Sequence, residues 1–282
     1  MISELIKFNF IEKSSKIITD VPMVSFCCFK DQIYYSHSKG IGSIIDGEVD
    51  NNWHEELCSV SPPDLTTISS IASCEPLNNL YVVCNGGSQI GRIDLNMLDF
   101  DFLISNGSAV KFQKKFLSTT TSETYVSASS TEIVWSVKGC HRCFKIHNSS
   151  AIPLVGNGKA GYSLSKNENS RICSPTGITH MNGTVCFADS GNNCLRGIKG
   201  NFTFNVIDDC KGLGTIHYVN EKLFFLSGNI IFMLSSEGDS THFYEVYESE
   251  HPIRSFYPSG KDSIYILVDN GNKIKKGIHK SD

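Results

Sequence analysis

Cys140-His-Arg-Cys143 has the C-x-x-C spacing that serves either a zinc site or a dithiol redox pair. A structural zinc ion needs a second pair of ligands at similar spacing. The chain has 11 cysteines but no second C-x-x-C. A redox pair needs a helix N-terminus to lower the thiol pKa, and this segment reads as a β-turn. Gly156-Asn-Gly-Lys-Ala-Gly161 matches G-x-G-x-x-G. Dinucleotide binding requires that such a run open a helix, so that backbone N–H groups face the pyrophosphate. The residues that follow, Tyr162 to Ser170, are too polar and unpatterned for a packed helix, so the expectation is an inter-strand turn. Asp189, Asn192 and Asn193, with Asp269 and Asn270 in an analogous place, read as side chains that fix turns by bonding to backbone. A cation held at such positions is the functional alternative. G-x-S-x-G and H-E-x-x-H are both absent. No catalytic residue, metal ligand or cofactor site is therefore assigned.

The remaining candidates are residues for binding. His37, Lys39, Lys138, His141 and Arg142 form a basic arc, and Asn192 and Asn193 add hydrogen-bonding groups. RNA readers combine such cations with aromatic rings on which bases stack. No aromatic residue accompanies this arc, and the formal net charge is −4. RNA is thus the alternative ligand, and DNA is not expected. Trp53 lies beside His54-Glu55-Glu56 in an irregular stretch and is the candidate anchor for a protein partner, since exposed aromatics concentrate binding energy. Its competing role is to cap the side of a sheet.

The elements that position these residues are strands. Sustained i, i+3, i+4, i+7 apolar spacing is missing, while short β-branched and aromatic runs alternate with Gly, Asn, Asp and Ser clusters. Six segments repeat one pattern of strand, Gly-containing turn and strand. They open at Ile33, Leu80, Ile133, Val185, Leu223 and Ile264, at intervals of 47, 53, 52, 38 and 41 residues. A four-stranded propeller blade takes about 40–50 residues. A further short strand precedes each segment: residues 24–29, 67–72, 125–128, 177–180, 214–219 and 253–257. These are expected to be innermost. Outermost strands are expected at 55–60, 110–117, 151–155, 202–207 and 241–247. The sixth blade, built from 253–257, 264–271 and 273–278, lacks a fourth strand. Residues 5–11 alternate, with Ile6, Phe8 and Phe10 on one face, and are expected to pair with this blade and close the ring. Residues 16–21 are the alternative closing strand. The turns of the six segments then share one rim, which carries the basic arc. The longer stretches 46–63 and 156–173 become candidate functional loops.

Leu154-Val-Gly-Asn-Gly-Lys-Ala-Gly161, Ser174-Pro-Thr-Gly-Ile178 and Phe187-Ala-Asp-Ser-Gly-Asn-Asn193 together resemble the NHL-repeat family. Its pattern is a Gly-rich lead-in, an "SPxGI" inner strand and a "YVADxGNNRIRKI" strand pair. Cys194 departs from the basic residue usual there, and Arg196 falls where the family often has one. The segment from Trp135 to His141 is a degenerate copy. The resemblance implies an all-β, six-bladed propeller of NHL type. It leaves function open among RNA readers, protein-interaction modules, and relatives that are lactonases or lyases with a metal at the axis.

At 282 residues the chain is long enough for one such domain, and 1–282 is read as a single unit. No apolar run approaches the ~18–20 residues that cross a bilayer, and no secretory leader is evident, so no membrane insertion is expected. Several cysteines fall inside strand-like runs, where the residue behaves as a small buried hydrophobe. The expected compartment is therefore intracellular; four sequons, at Asn106, Asn148, Asn182 and Asn201, support secretion as the minority reading. The functional expectation is a non-catalytic scaffold that binds a protein partner.

Overall fold

In a computed structural model, the described residues (2–57, 65–104, 123–237, 240–260 and 262–270) form six antiparallel four-stranded sheets arranged as the blades of a ring. From the axis outward, blade one is Ser25–Phe29, Gln32–His37, Gly40–Ile45 and Glu48–Asp50. Blade two is Ile68–Cys74, Asn79–Cys84, Gln89–Asp94 and Asp99–Ile104. Blade three is Thr124–Ala128, Ile133–Val137, Arg142–His147 and Ser150–Val155. Blade four is Pro175–Met181, Thr184–Asp189, Cys194–Lys199 and Phe202–Ile207. Blade five is Leu213–Val219, Lys222–Ser227, Ile230–Glu237 and Ser240–Glu248. Blade six is Ile253–Ser259, Ser263–Asn270, Ile2–Asn9 and Ser14–Thr19.

The second and third strands of a blade are sandwiched between neighbouring blades, so both of their faces must be apolar. Asn79–Cys84 is buried along its whole length, and so is Gln32–His37 after its first residue. Six apolar clusters result, one in each cleft between blades. Burial of this kind contributes about 25 cal/mol per Å² of apolar surface removed from water. The innermost strands have a different problem, because the edge facing the axis has no fifth strand to pair with. Hydroxyls of the adjacent blade meet several of these backbone groups. Ser25 Oγ accepts from Ile71 N–H, Ser70 Oγ from Val126 N–H and Thr179 Oγ1 from Tyr218 N–H. Ser73 Oγ donates to Cys28 O and Ser136 Oγ to Thr176 O. Close approach also explains the glycine of the "SPxGI" strand. A Cβ on Gly177 would lie 2.4 Å from the Ile216 backbone nitrogen in the next blade.

Ring closure uses both candidate strands. Ile2–Asn9 pairs antiparallel with Ser263–Asn270, and Ser14–Thr19 pairs outside it. The N-terminal strand thus takes the third position, expected for residues 273–278, which lie outside the described residues. Leu5 is fully buried in the cleft between blades six and one, and Ile6, Phe8 and Phe10 pack toward blade five. Two outer strands differ from expectation. Of the stretch 55–60, Glu55 and Glu56 belong to the 3-10 turn Trp53–Glu56 and residues 58–60 lie outside the described residues; blade one's fourth strand is Glu48–Asp50, whose three residues are all exposed. In blade two the outermost strand is Asp99–Ile104, where Asp-Phe-Asp-Phe alternates. The stretch 110–117 lies outside the described residues.

Candidate functional site

The best-preserved repeat holds a loop. Asp189 and Arg196 are diagonal neighbours on adjacent strands of blade four, and both side chains are fully buried. Arg196 Nη1 donates to Asp189 Oδ2 at 2.9 Å and to Arg171 O at 3.0 Å, and Nη2 donates to Ser163 O at 2.5 Å. The guanidinium lies 5.2 Å from the Tyr162 ring centroid. Asp189 also accepts from Cys173 N–H and Asn192 Nδ2, and Asn192 Nδ2 donates on to Gly161 O. Desolvation raises the Asp189 carboxyl above its ordinary value, and these donors pull it the other way. The ion pair therefore clamps the stretch 156–173 onto the blade. The glycines of G-x-G-x-x-G serve the same packing. Gly158 and Gly161 have φ of +83° and +147°, and a Cβ on either would meet the guanidinium of Arg142 or Arg171. No helix follows; the segment is an inter-blade loop wrapped around two arginines.

Several expected surface residues turn inward. Trp53 is 4% exposed, packs edge-on against Tyr34 at 4.8 Å and fills the cleft between blades one and two. It is a core plug, which corrects its reading as a partner anchor. Arg142 is 8% exposed and donates to the carbonyls of Gly156 and Asn157. His37 is buried, with Nε2 donating to Asn51 O at 2.8 Å, and desolvation lowers its pKa. His141 Nδ1 accepts from Ser174 N–H at 3.0 Å. Asn193 takes the left-handed conformation (φ 55°) that ends the blade-four turn. Lys138 pairs with Glu123 at 2.8 Å on the surface, and Lys39 is exposed. The basic arc is therefore largely consumed by structure. Cys140 and Cys143 point into different clefts, between blades two and three and between three and four. Burial pushes the Cys140 thiol up to about 11 and Cys143 well above its ordinary value. Neither supplies a thiolate at neutral pH.

What the topology does bring together is one mouth of the axial channel. A cavity of 530 Å³ is lined by the first residues of the inner strands of blades one, two, three and six. Val24, Thr66, Tyr125 and Arg254 come from four separate segments. Hydroxyls of Ser25, Thr67, Ser69, Thr124 and Ser255 supply polar groups, and Thr67 Oγ1 is buried without a hydrogen-bond partner among the described residues. Arg254 braces the closure by donating to Ser3 Oγ and Met23 O, and lies 3.5 Å from Asp269. Glu123 and Arg254 both act on the Tyr125 phenol, whose pKa is raised chiefly by burial. At the other end a smaller cavity of 260 Å³ holds His180, His217, Ser73 and Tyr257. The Nε2 atoms of both histidines are buried without a hydrogen-bond partner, and burial lowers both pKa values, that of His217 to about 4. Among the described residues no three His, Cys, Asp or Glu side chains converge to hold a metal ion. Sequence reasoning missed both cavities because their residues are ordinary Ser, Thr and Tyr in strands. The signal was the set of six inner strands, not any motif.

No family model matches the chain, and no curated protein matches it in sequence. Solved structures match in fold. A protein assigned as TolB from Agrobacterium tumefaciens superposes with a TM-score of 0.62 at 9% identity, covering 95% of this chain and 98% of that one. A chain of the nidogen/laminin complex gives 0.56 at 11% identity, covering 85% and 92%. An auxiliary nutrient binding protein from Bacteroides ovatus gives 0.58 at 10% identity, covering 77% and 59%. The chain spans about three fifths of the length of the Bacteroides structures it matches. At these identities the likeness is one of fold. Among the described residues no helix is long and apolar enough to cross a membrane, which says nothing of β-barrels.

Proposed function

We propose that this chain is a non-catalytic protein-interaction propeller of NHL type that receives its partner at the larger axial mouth. The observation carrying this reading is the 530 Å³ cavity where four blades contribute hydroxyls, an arginine, a carboxylate and an exposed valine to one opening. That mixture of donors, acceptors and apolar surface suits a polypeptide segment. A chain of the nidogen/laminin complex offers an example of this fold in a protein complex. The RNA reading loses support because Arg142 and His37 are buried and Lys138 is paired. An intracellular location is part of the proposal and is supported by the ten described cysteines, none of them in a disulfide and eight of them buried.

The test is affinity purification from native cells, with and without nuclease, using the chain and a Val24→Trp/Thr66→Trp variant that fills the mouth. Nuclease-insensitive protein partners should be recovered by the chain and fall about tenfold in the variant, with thermal unfolding unchanged. RNA as the main recovered ligand, or equal recovery by the variant, overturns the reading.

A further inference from the structure

Among the described residues no fifth strand pairs beyond the outermost strand of any blade, and soluble proteins blunt such edges to avoid unwanted pairing. Five of the six edges here are blunted. Blade one ends in a strand of only three residues, and blade three carries Pro153 in its outer strand. Blade two places Asp99 and Asp101 on its edge, Asp101 bound by Arg92. Blade four is covered by its loop, with Lys166 bridging to Phe202 and Thr203 Oγ1 donating to Ser165 O. Blade six exposes Ser14-Ser-Lys16. Blade five differs. Its outer strand, Ser240–Glu248, is the longest of the six at nine residues and has no proline, lysine or arginine. Among the described residues nothing pairs with its outer side. Phe243 and Tyr244 are 53% and 42% exposed, while Val246 and Tyr247 pack inward and hold the strand in place.

Charge selects the occupant. Between Lys222 and Arg254 the sequence has no lysine or arginine and five acidic residues: Glu237, Asp239, Glu245, Glu248 and Glu250. Glu245, Glu248 and Glu250 are exposed. A second copy of this strand would set like charges against each other, which disfavours self-pairing. We propose that the blade-five edge is a β-augmentation site for an extended basic segment of a partner protein. Backbone hydrogen bonds to Ser240–Glu248 would give affinity, and lysine or arginine at alternate positions would meet Glu245 and Glu248. This surface is separate from the axial mouth.

The experiment is fluorescence anisotropy of the full chain with a labelled synthetic octapeptide of alternating Lys and Ile. Binding is expected, with hydrogen exchange slowed across 240–248. N-methylation of every second peptide nitrogen should weaken binding at least tenfold, because it removes strand pairing but keeps charge. Glu245→Lys/Glu248→Lys should weaken it to a similar extent, and Phe243→Lys serves if the double variant does not fold. Val24→Trp/Thr66→Trp should bind as the parent does. The proposal fails if the octapeptide does not bind, if the N-methylated peptide binds equally, or if an alternating Glu and Ile peptide binds better. It also fails if sedimentation shows a dimer that Phe243→Lys disperses.

Discussion

His217 shows how one residue couples the channel to pH. Its ring is packed against Phe256 and Tyr257, with ring centroids 5.2 and 4.9 Å away, and burial lowers its pKa to about 4 against a hydrogen bond to the Phe256 backbone. In the unfolded chain an imidazole titrates near 6.5. Between those values the unfolded state binds the extra proton, so stability rises with pH in this window and is lost as pH falls toward 4. His180 and His37, also lowered, add to the same slope. The His217 share amounts to about 2–3 kcal/mol. Urea midpoints measured from pH 7 to pH 4.5 should fall steeply for the chain and less steeply for His217→Gln. Parallel profiles would refute this assignment. None of this was legible in sequence, where His217 is one histidine among nine in a strand. Its neighbours Phe256 and Tyr257 arrive from the next blade, about 40 positions away.

At the scale of the element, the strand-turn-strand repeat was legible because inner and middle strands are buried on both faces, which forces apolar runs. Outer strands pack on one side only, so they lack the continuous apolar run: Glu48–Asp50 is exposed throughout, and Asp99–Ile104 opens with a polar and apolar alternation. The candidate site was less legible. Trp53, His37 and Arg142 lie in or beside polar stretches, and their burial depends on the path of loops that no periodicity records. The "AD…GNN" residues report architecture, as their turn chemistry suggested, yet they do so through a buried ion pair that spacing alone did not show. Arg196→Ala should leave Asp189 buried and uncompensated, at a cost of about 3–5 kcal/mol. Hydrogen exchange should locate the first loss of protection in residues 156–173, which Arg196 holds through Arg171 O and Ser163 O. Protection lost evenly across the ring would argue against a local clamp.

For the whole molecule, the ring is held shut by a sheet that mixes both ends of the sequence. Two strands of blade six come from residues 2–19 and two from 253–270. Deleting residues 1–20 removes half of that blade and exposes the apolar flank of Ser263–Asn270, whose Ile264, Ile266 and Leu267 are fully buried. The truncated chain should fail to give a cooperative monomer by size exclusion and thermal unfolding. Supplying residues 1–20 as a separate peptide should restore the transition. A normal melt of the truncated chain would mean that blade six stands without its outer strands.

The same closure sets a timetable for synthesis. Ile2–Asn9 leaves the ribosome some 260 residues ahead of its partner Ser263–Asn270. At about 5–20 residues per second that interval is roughly 13–50 s. Throughout it Leu5, Ile6 and Phe8, which are destined for two clefts, have only the hairpin partner Ser14–Thr19 beside them and no cleft to fill. Blades one to five can assemble in turn while the leading segment waits, so the nascent chain is an open arc with an adhesive end. Its yield in a cell should depend on whatever shields that end until the last blade appears.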